Sequence, residues 1–185
     1  MKISPVFLMF LASVGLNAKS AMASEIKNCK ITFETIGKPV LVQIKGQSDE
    51  PCVGSYTLAG NQLTAAEFKM KLDKIETGIP LRNKHLRENY LHTDKFPEAV
   101  ISVKKIDGLD QQRGSKGAKM DNYYPELTIH GVTKPVAGAQ YKIAGKKVEA
   151  TLQLELLDFG IERPAFMGIK VVDAVAIKVE FDIND

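Results

Sequence analysis

Five apolar residues at every second position, Val175, Ile177, Val179, Phe181 and Ile183, alternate with Ala176, Lys178, Glu180 and Asp182. Successive side chains of a β-strand point to opposite faces, so this segment has one dry face and one wet face. The same period runs through Val148, Ala150, Leu152, Leu154 and Leu156, and through Phe68, Met70 and Leu72. Alternation of this kind belongs to antiparallel sheets covered on one face only. Further strands are expected at residues 29–35, 40–46, 53–58, 99–106, 123–130 and 136–143. Turn signals separate them at Gly37-Lys38-Pro39, Gly60-Asn61 and Gly145-Lys146. The pattern predicts an all-β, antiparallel fold with one or two short helices. It leaves two layouts open, a sandwich and a closed barrel, because about eight long strands can close around side chains or around one small ligand.

Two segments break the period. Residues 80–90 read as a helix with Pro80 in its first turn. Arg82, Leu86 and Tyr90 fall four apart and share a face, with His85 beside them. Residues 163–169, carrying Phe166 and Met167, read as a short helical or irregular piece. Residues 108–121 are polar and Gly-rich and read as a loop.

The N-terminus reads as a secretory signal over residues 1–23, with Lys2 ahead of a mostly apolar run and Ala21-Met22-Ala23 at the expected cut. The apolar run is too short to span a bilayer. The expected mature chain, 24–185, is one domain with a periplasmic or secreted location. Losing Lys2 and Lys19 leaves 23 basic residues against 22 acidic ones. That balance lacks the clustered basic excess of a nucleic-acid-binding protein. Export places Cys29 and Cys52 where disulfides persist, and a Cys29–Cys52 bridge is expected. Two separate buried thiols are the alternative, and two thiols alone do not complete a zinc site.

No catalytic motif stands out. The chain has no Gly-x-Ser-x-Gly elbow and no phosphate-cradling glycine loop, so no enzyme activity and no cofactor are expected. The three histidines, His85, His92 and His130, do not form a metal-ligand pattern. His130 is expected to hydrogen-bond at a turn and His92 to face solvent. His85 either faces solvent or offers a polar contact at the edge of an interior site. Arg82 likewise is either solvated or turned inward, where a buried charge needs an acceptor. A phosphate or carboxylate could supply it.

Three elements in register carry a family resemblance. They are Arg82-x-x-His85-Leu86, then Phe96-Pro97 before a strand, then Leu127-Thr128-Ile129-His130-Gly131-Val132-Thr133, where a Gly-centred corner is followed by Pro135 opening the next strand. The chain resembles the YceI-like family from about residue 30 onward. Asn83 stands where the family often has Asp, and a cysteine pair is not general to it. The resemblance implies a lipocalin-like β-barrel holding a long-chain lipid, a polyisoprenoid or quinone-like molecule. On that reading Phe68, Met70, Ile129, Leu152, Leu154, Phe166, Ile177 and Val179 line the interior, and Arg82, His85, Leu86 and Tyr90 border its mouth. Transient contact with a membrane or a lipid donor is then expected. Without the resemblance the same apolar faces would be ordinary packed core. The rival is therefore a packed barrel serving as a stress-related structural or interaction module with no lipid.

Overall fold

The computed structural model describes residues 22–39, 41–59, 62–107 and 120–183. The expected signal segment up to residue 21, the expected Gly60-Asn61 turn and most of the expected 108–121 loop lie outside the described residues. Sixteen strands are assigned among the described residues. They are β1 (Met22–Glu25), β2 (Lys27–Lys38), β3 (Val42–Ser48), β4 (Val53–Ala59), β5 (Gln62–Lys71), β6 (Ile75–Glu76), β7 (Glu98–Val103) and β8 (Ile106–Asp107). Then come β9 (Asp121–Asn122), β10 (Pro125–Ile129), β11 (Val132–Pro135), β12 (Gln140–Ala144), β13 (Lys147–Glu155), β14 (Ala165–Phe166), β15 (Ile169–Val171) and β16 (Ala174–Asp182). One α-helix, α1 (Pro80–His85), continues into a π-turn over Leu86–Tyr90, where the Leu91 amide donates to the Leu86 carbonyl at 2.9 Å.

All pairings are antiparallel, and they build two sheets. One runs β1-β4-β5-β7-β10-β11, with β8 also on β5. The other runs β14-β15-β2-β16-β13-β12-β9, with β3 on the free side of β2 and β6 on β3. The expected antiparallel, mostly β fold is thus present. The hydrogen-bonded closure of a barrel is not: among the described residues no ladder joins one sheet to the other. The chain instead steps between sheets at their margins. It does so through Leu72–Lys74 between β5 and β6, through Tyr123 and Tyr124 between β9 and β10, and through residues 136–139 between β11 and β12.

Alternation does what the sequence predicts. Val148, Ala150, Leu152 and Leu154 of β13 are buried, and they face Phe181, Val179, Ile177 and Val175 of β16 across one ladder. Leu72, Leu127 and Ile161 are almost fully enclosed between the sheets. Burial of these apolar faces, at about 25 cal/mol per Å² removed from water, is the main term holding the sheets together.

Two turns differ from expectation. The 136–143 strand is interrupted, because Pro135 closes β11 rather than opening a strand, and residues 136–139 form the crossing to β12. The preceding corner is a two-residue hairpin in which His130 and Gly131 both have positive φ, 54° and 75°. That backbone twist matches paired strands. A Cβ at Gly131 would also lie 2.6 Å from the Phe96 ring, so glycine is required there twice over. The 163–169 piece is a hairpin too, β14–β15, turning at Met167 (φ 50°) and Gly168 (φ 78°). A Met-Gly turn is an uncommon version of the Asn-Gly signal, which hides it from a sequence reading.

Cys29 and Cys52 form a disulfide, and both are buried. Cys29 lies on β2 of one sheet, and Cys52 immediately precedes β4 of the other. The bond therefore staples the sheets at a margin where the Cys52 amide donates to the Cys29 carbonyl at 3.2 Å. Loop-closure entropy for such a ring is worth about 3 kcal/mol. Thiol counting on denatured, unreduced protein should find no free thiol. Replacing both cysteines by serine should lower the urea midpoint by a corresponding amount. Two titratable thiols, or an unchanged midpoint, would count against the staple.

Candidate functional site: an apolar chamber under a helix

Between the sheets, at the end where α1 sits, lies a cavity of about 180 Å³. Its wall comes from the ends of the long strands: Ile31 and Phe33 of β2, Met70 of β5, Ile129 of β10, Leu154 of β13 and Ile177 of β16. Its roof comes from Arg82, His85, Leu86 and Tyr90 of the helical segment and from Phe166 and Ile169 of the β14–β15 hairpin. Period-two alternation aims the wall inward. The face shared by Arg82, Leu86 and Tyr90 at four-residue spacing is turned toward the chamber.

Four of the 24 lining residues carry polar side-chain atoms: Thr35, Arg82, His85 and Tyr90. Three of them are already engaged. The Thr35 hydroxyl donates to the Ala174 carbonyl at 2.8 Å. Arg82 donates from Nε to Thr77 Oγ1 at 2.8 Å and from Nη2 to the Thr77 carbonyl. The acceptor that an inward Arg82 needs is therefore supplied by the chain itself, so no ligand anion is required. The Tyr90 hydroxyl receives the Ala165 amide proton at 3.0 Å and lies 3.3 Å from the Ala165 carbonyl, clasping the helical segment to β14. His85 packs its ring edge-on against Phe166, centroids 5.7 Å apart, and makes no hydrogen bond among the described residues.

The roof is anchored by a residue that sequence reasoning passed over. Asn83 is only 3% exposed. Its Oδ1 accepts from the Thr77 amide at 2.9 Å and from the Thr77 hydroxyl at 2.6 Å, and its Nδ2 donates to Glu76 Oε2 at 2.7 Å. Glu76 also accepts from the Gly78 amide. The Asn83 hydrogen bond, followed by that of Gly78, holds the Glu76 carboxyl below its ordinary range. Asn83 and Arg82 together fix the loop that enters α1. The available signal was its place beside Arg82, where an amide can donate and accept at once but a carboxylate would only accept.

A second, smaller cavity of about 80 Å³ lies toward the opposite end, lined by Phe68, Val179, Phe181 and three tyrosines, Tyr56, Tyr123 and Tyr141. Burial pushes the Tyr123 and Tyr141 hydroxyls up from their ordinary values. Leu152 lines neither chamber. It sits on β13 between Leu154 of the first and Ala150 of the second, and on β10 Leu127 stands next to Ile129 in the same way. The predicted lining set therefore divides. Met70, Arg82, His85, Leu86, Tyr90, Ile129, Leu154, Phe166 and Ile177 meet in the first chamber. Phe68 and Val179 belong to the second, and Leu152 belongs to the partition between them.

The histidines bring no chemistry together. His130 Nδ1 donates to the Phe159 carbonyl at 3.2 Å, as expected of a corner residue. His92 is half-buried and stacked on His130, 5.3 Å between centroids, rather than simply solvated. No group of three or more metal-ligating side chains occurs among the described residues.

The model of the YceI-like domain matches residues 20–183. The chain belongs to the YceI-like family. The fold agrees with that of two solved structures. A polyisoprenoid-binding domain from Saccharophagus degradans, implicated in plant cell wall breakdown, superimposes with a TM-score of 0.66 at 14% identity, covering 88% of this chain and all of that one. BcnA from Burkholderia cenocepacia gives 0.62 at 16% identity, over 84% of this chain and 96% of the other. A UPF0312 protein of Pseudomonas savastanoi pv. phaseolicola is 28% identical over 120 residues, 60% of this chain. The match spans 59% of that relative's length. This YceI-like chain therefore shares the fold of those structures, and holds its own apolar chamber between its two sheets.

Proposed function

We propose that this YceI-like protein is a periplasmic or secreted carrier that hides a long-chain apolar lipid, of the polyisoprenoid or quinone class, between its sheets. No catalysis is assigned to it. One observation carries the reading: the chamber under α1 is lined by apolar side chains, and three of its four polar ones are spoken for by the chain. An apolar cavity of roughly 150 Å³ stays dry and accepts an apolar guest. Each methylene moved into it from water contributes about 0.8 kcal/mol. A tail is thus the feature this site recognises, with His85 the one lining side chain left to meet a headgroup. The likeness to a polyisoprenoid-binding domain supports the same ligand class.

Native mass spectrometry of protein purified from its own envelope tests this. A long apolar lipid should co-purify and be displaced by added isoprenoid. A protein that is empty and takes up no isoprenoid would support the packed structural module instead.

A further inference from the structure

The chamber's outer edge is half-buried, formed by Val42, Leu86, Phe166 and Ile169 among others. Three segments surround it: the turn between β2 and β3, the start of α1, and the tip of the β14–β15 hairpin. They are close in space. A Cβ placed on Gly37 of β2 would lie 2.4 Å from Ile169 of β15 and 3.5 Å from Ile44 of β3. The His85 ring of α1 rests on Phe166 of β14.

Each of these segments carries the same pair of side chains, a large apolar residue and a lysine three positions apart, all exposed. They are Leu41 with Lys38, Leu81 with Lys84, and Met167 with Lys170. Leu41 is 76% exposed and Met167 is 85% exposed, so neither belongs to the core. Ile79, ahead of α1, adds a fourth outward apolar side chain. Lys38 and Lys170 are direct cross-strand partners in the β2–β15 ladder. Like charges opposed in that way destabilise a sheet. No acid pairs with Lys38, Lys84 or Lys170 among the described residues. Along the walls, by contrast, Lys45, Lys69, Lys71, Lys142 and Lys178 all have acidic partners. Glu76, just ahead of α1, is engaged with Asn83, and Asp173 with the Leu157 amide.

We infer that the mouth of the chamber is a docking surface for an anionic phospholipid bilayer, with Leu41, Leu81 and Met167 entering the headgroup boundary and Lys38, Lys84 and Lys170 lying against the phosphates. Apolar tips within a basic ring are what interfacial binding requires. Each lysine near an anionic surface contributes roughly a fivefold gain in affinity. Bilayer docking at this end also places the chamber where a tail can pass from membrane to protein without crossing water. That role rests on the carrier reading, but the docking itself does not.

Co-sedimentation of the oxidised protein with vesicles tests it. Binding should be seen with phosphatidylglycerol-rich vesicles, be weak with phosphatidylcholine alone, and fall as salt is raised. The double variant Lys38→Gln/Lys170→Gln should bind phosphatidylglycerol vesicles at least about tenfold more weakly. Leu41→Ser/Met167→Ser should lose binding to a similar degree. All four side chains are exposed, so melting temperatures no lower than the wild type's should show that both variants fold. Uptake of a short, water-soluble isoprenoid should be unchanged in both. Failure of the wild type to bind anionic vesicles, or equal binding by wild type and both variants, would overturn the docking surface. The carrier reading would then be judged by isoprenoid uptake alone.

Discussion

Ile177→Trp should abolish uptake of an isoprenoid while leaving the melting temperature nearly unchanged. Ile177 lines the first chamber from β16, opposite Leu152 in the β13 ladder and Phe33 in the β2 ladder. An indole can enter the empty volume there and take the place of a guest. Met70→Trp and Leu154→Trp, on β5 and β13, should behave alike. Leu152→Trp supplies the contrast: its side chain is buried and lines neither interior chamber, so overpacking should cost about 1–3 kcal/mol. Fluorescence titration with a labelled isoprenoid, run beside thermal unfolding, separates the outcomes. If all four variants lost stability equally, the interior would be packed core throughout.

Asn83→Leu should be the most damaging single change at the mouth. It removes the acceptor of the Thr77 amide and hydroxyl and the donor to Glu76, all around a buried position. Leaving the part-buried Thr77 amide and hydroxyl without their acceptor costs about 1–3 kcal/mol in all. The urea midpoint should fall accordingly, and faster proteolysis between Thr77 and Arg87 should accompany it. A pH signature distinguishes this from general loosening. The folded-state pKa of Glu76 is depressed, chiefly by Asn83. Its contribution is therefore present above the ordinary carboxylate range and lost as pH falls through the depressed value. Asn83→Leu should remove part of that acid-side loss. Parallel acid profiles for the wild type and the variant would place the network outside the stability of the fold.

Much of the frame was legible because period two survives wherever one face of a strand is wet. Val148 to Leu154 and Val175 to Phe181 gave β13 and β16 almost residue for residue. Depth along a strand was not legible. Leu152 and Leu154 occupy equivalent positions in the alternation, yet one forms a partition and the other a cavity wall. That difference depends on what stands opposite, which no single strand encodes. Phe68 and Val179 fell into the second chamber for the same reason. Arg82 was legible as one of a shared stripe but open between solvent and interior; its partner came from an irregular loop five residues earlier, where neither periodicity nor a turn signal operates. The β14–β15 hairpin escaped notice because its strands are two and three residues long, too short to show any period.

On the carrier reading, Leu127 and Leu152, buried and lining neither chamber, would make the interior a measuring device. A guest short enough for the first chamber gains affinity with each added carbon at the ordinary increment. The next carbons must push leucine side chains aside before they reach free volume, so over that interval added length brings little gain. Only tails that reach Phe68 and the tyrosine-lined end recover the increment. Affinity plotted against tail length would then rise, flatten and rise again. The plateau would mark the position of two leucines in units of isoprene.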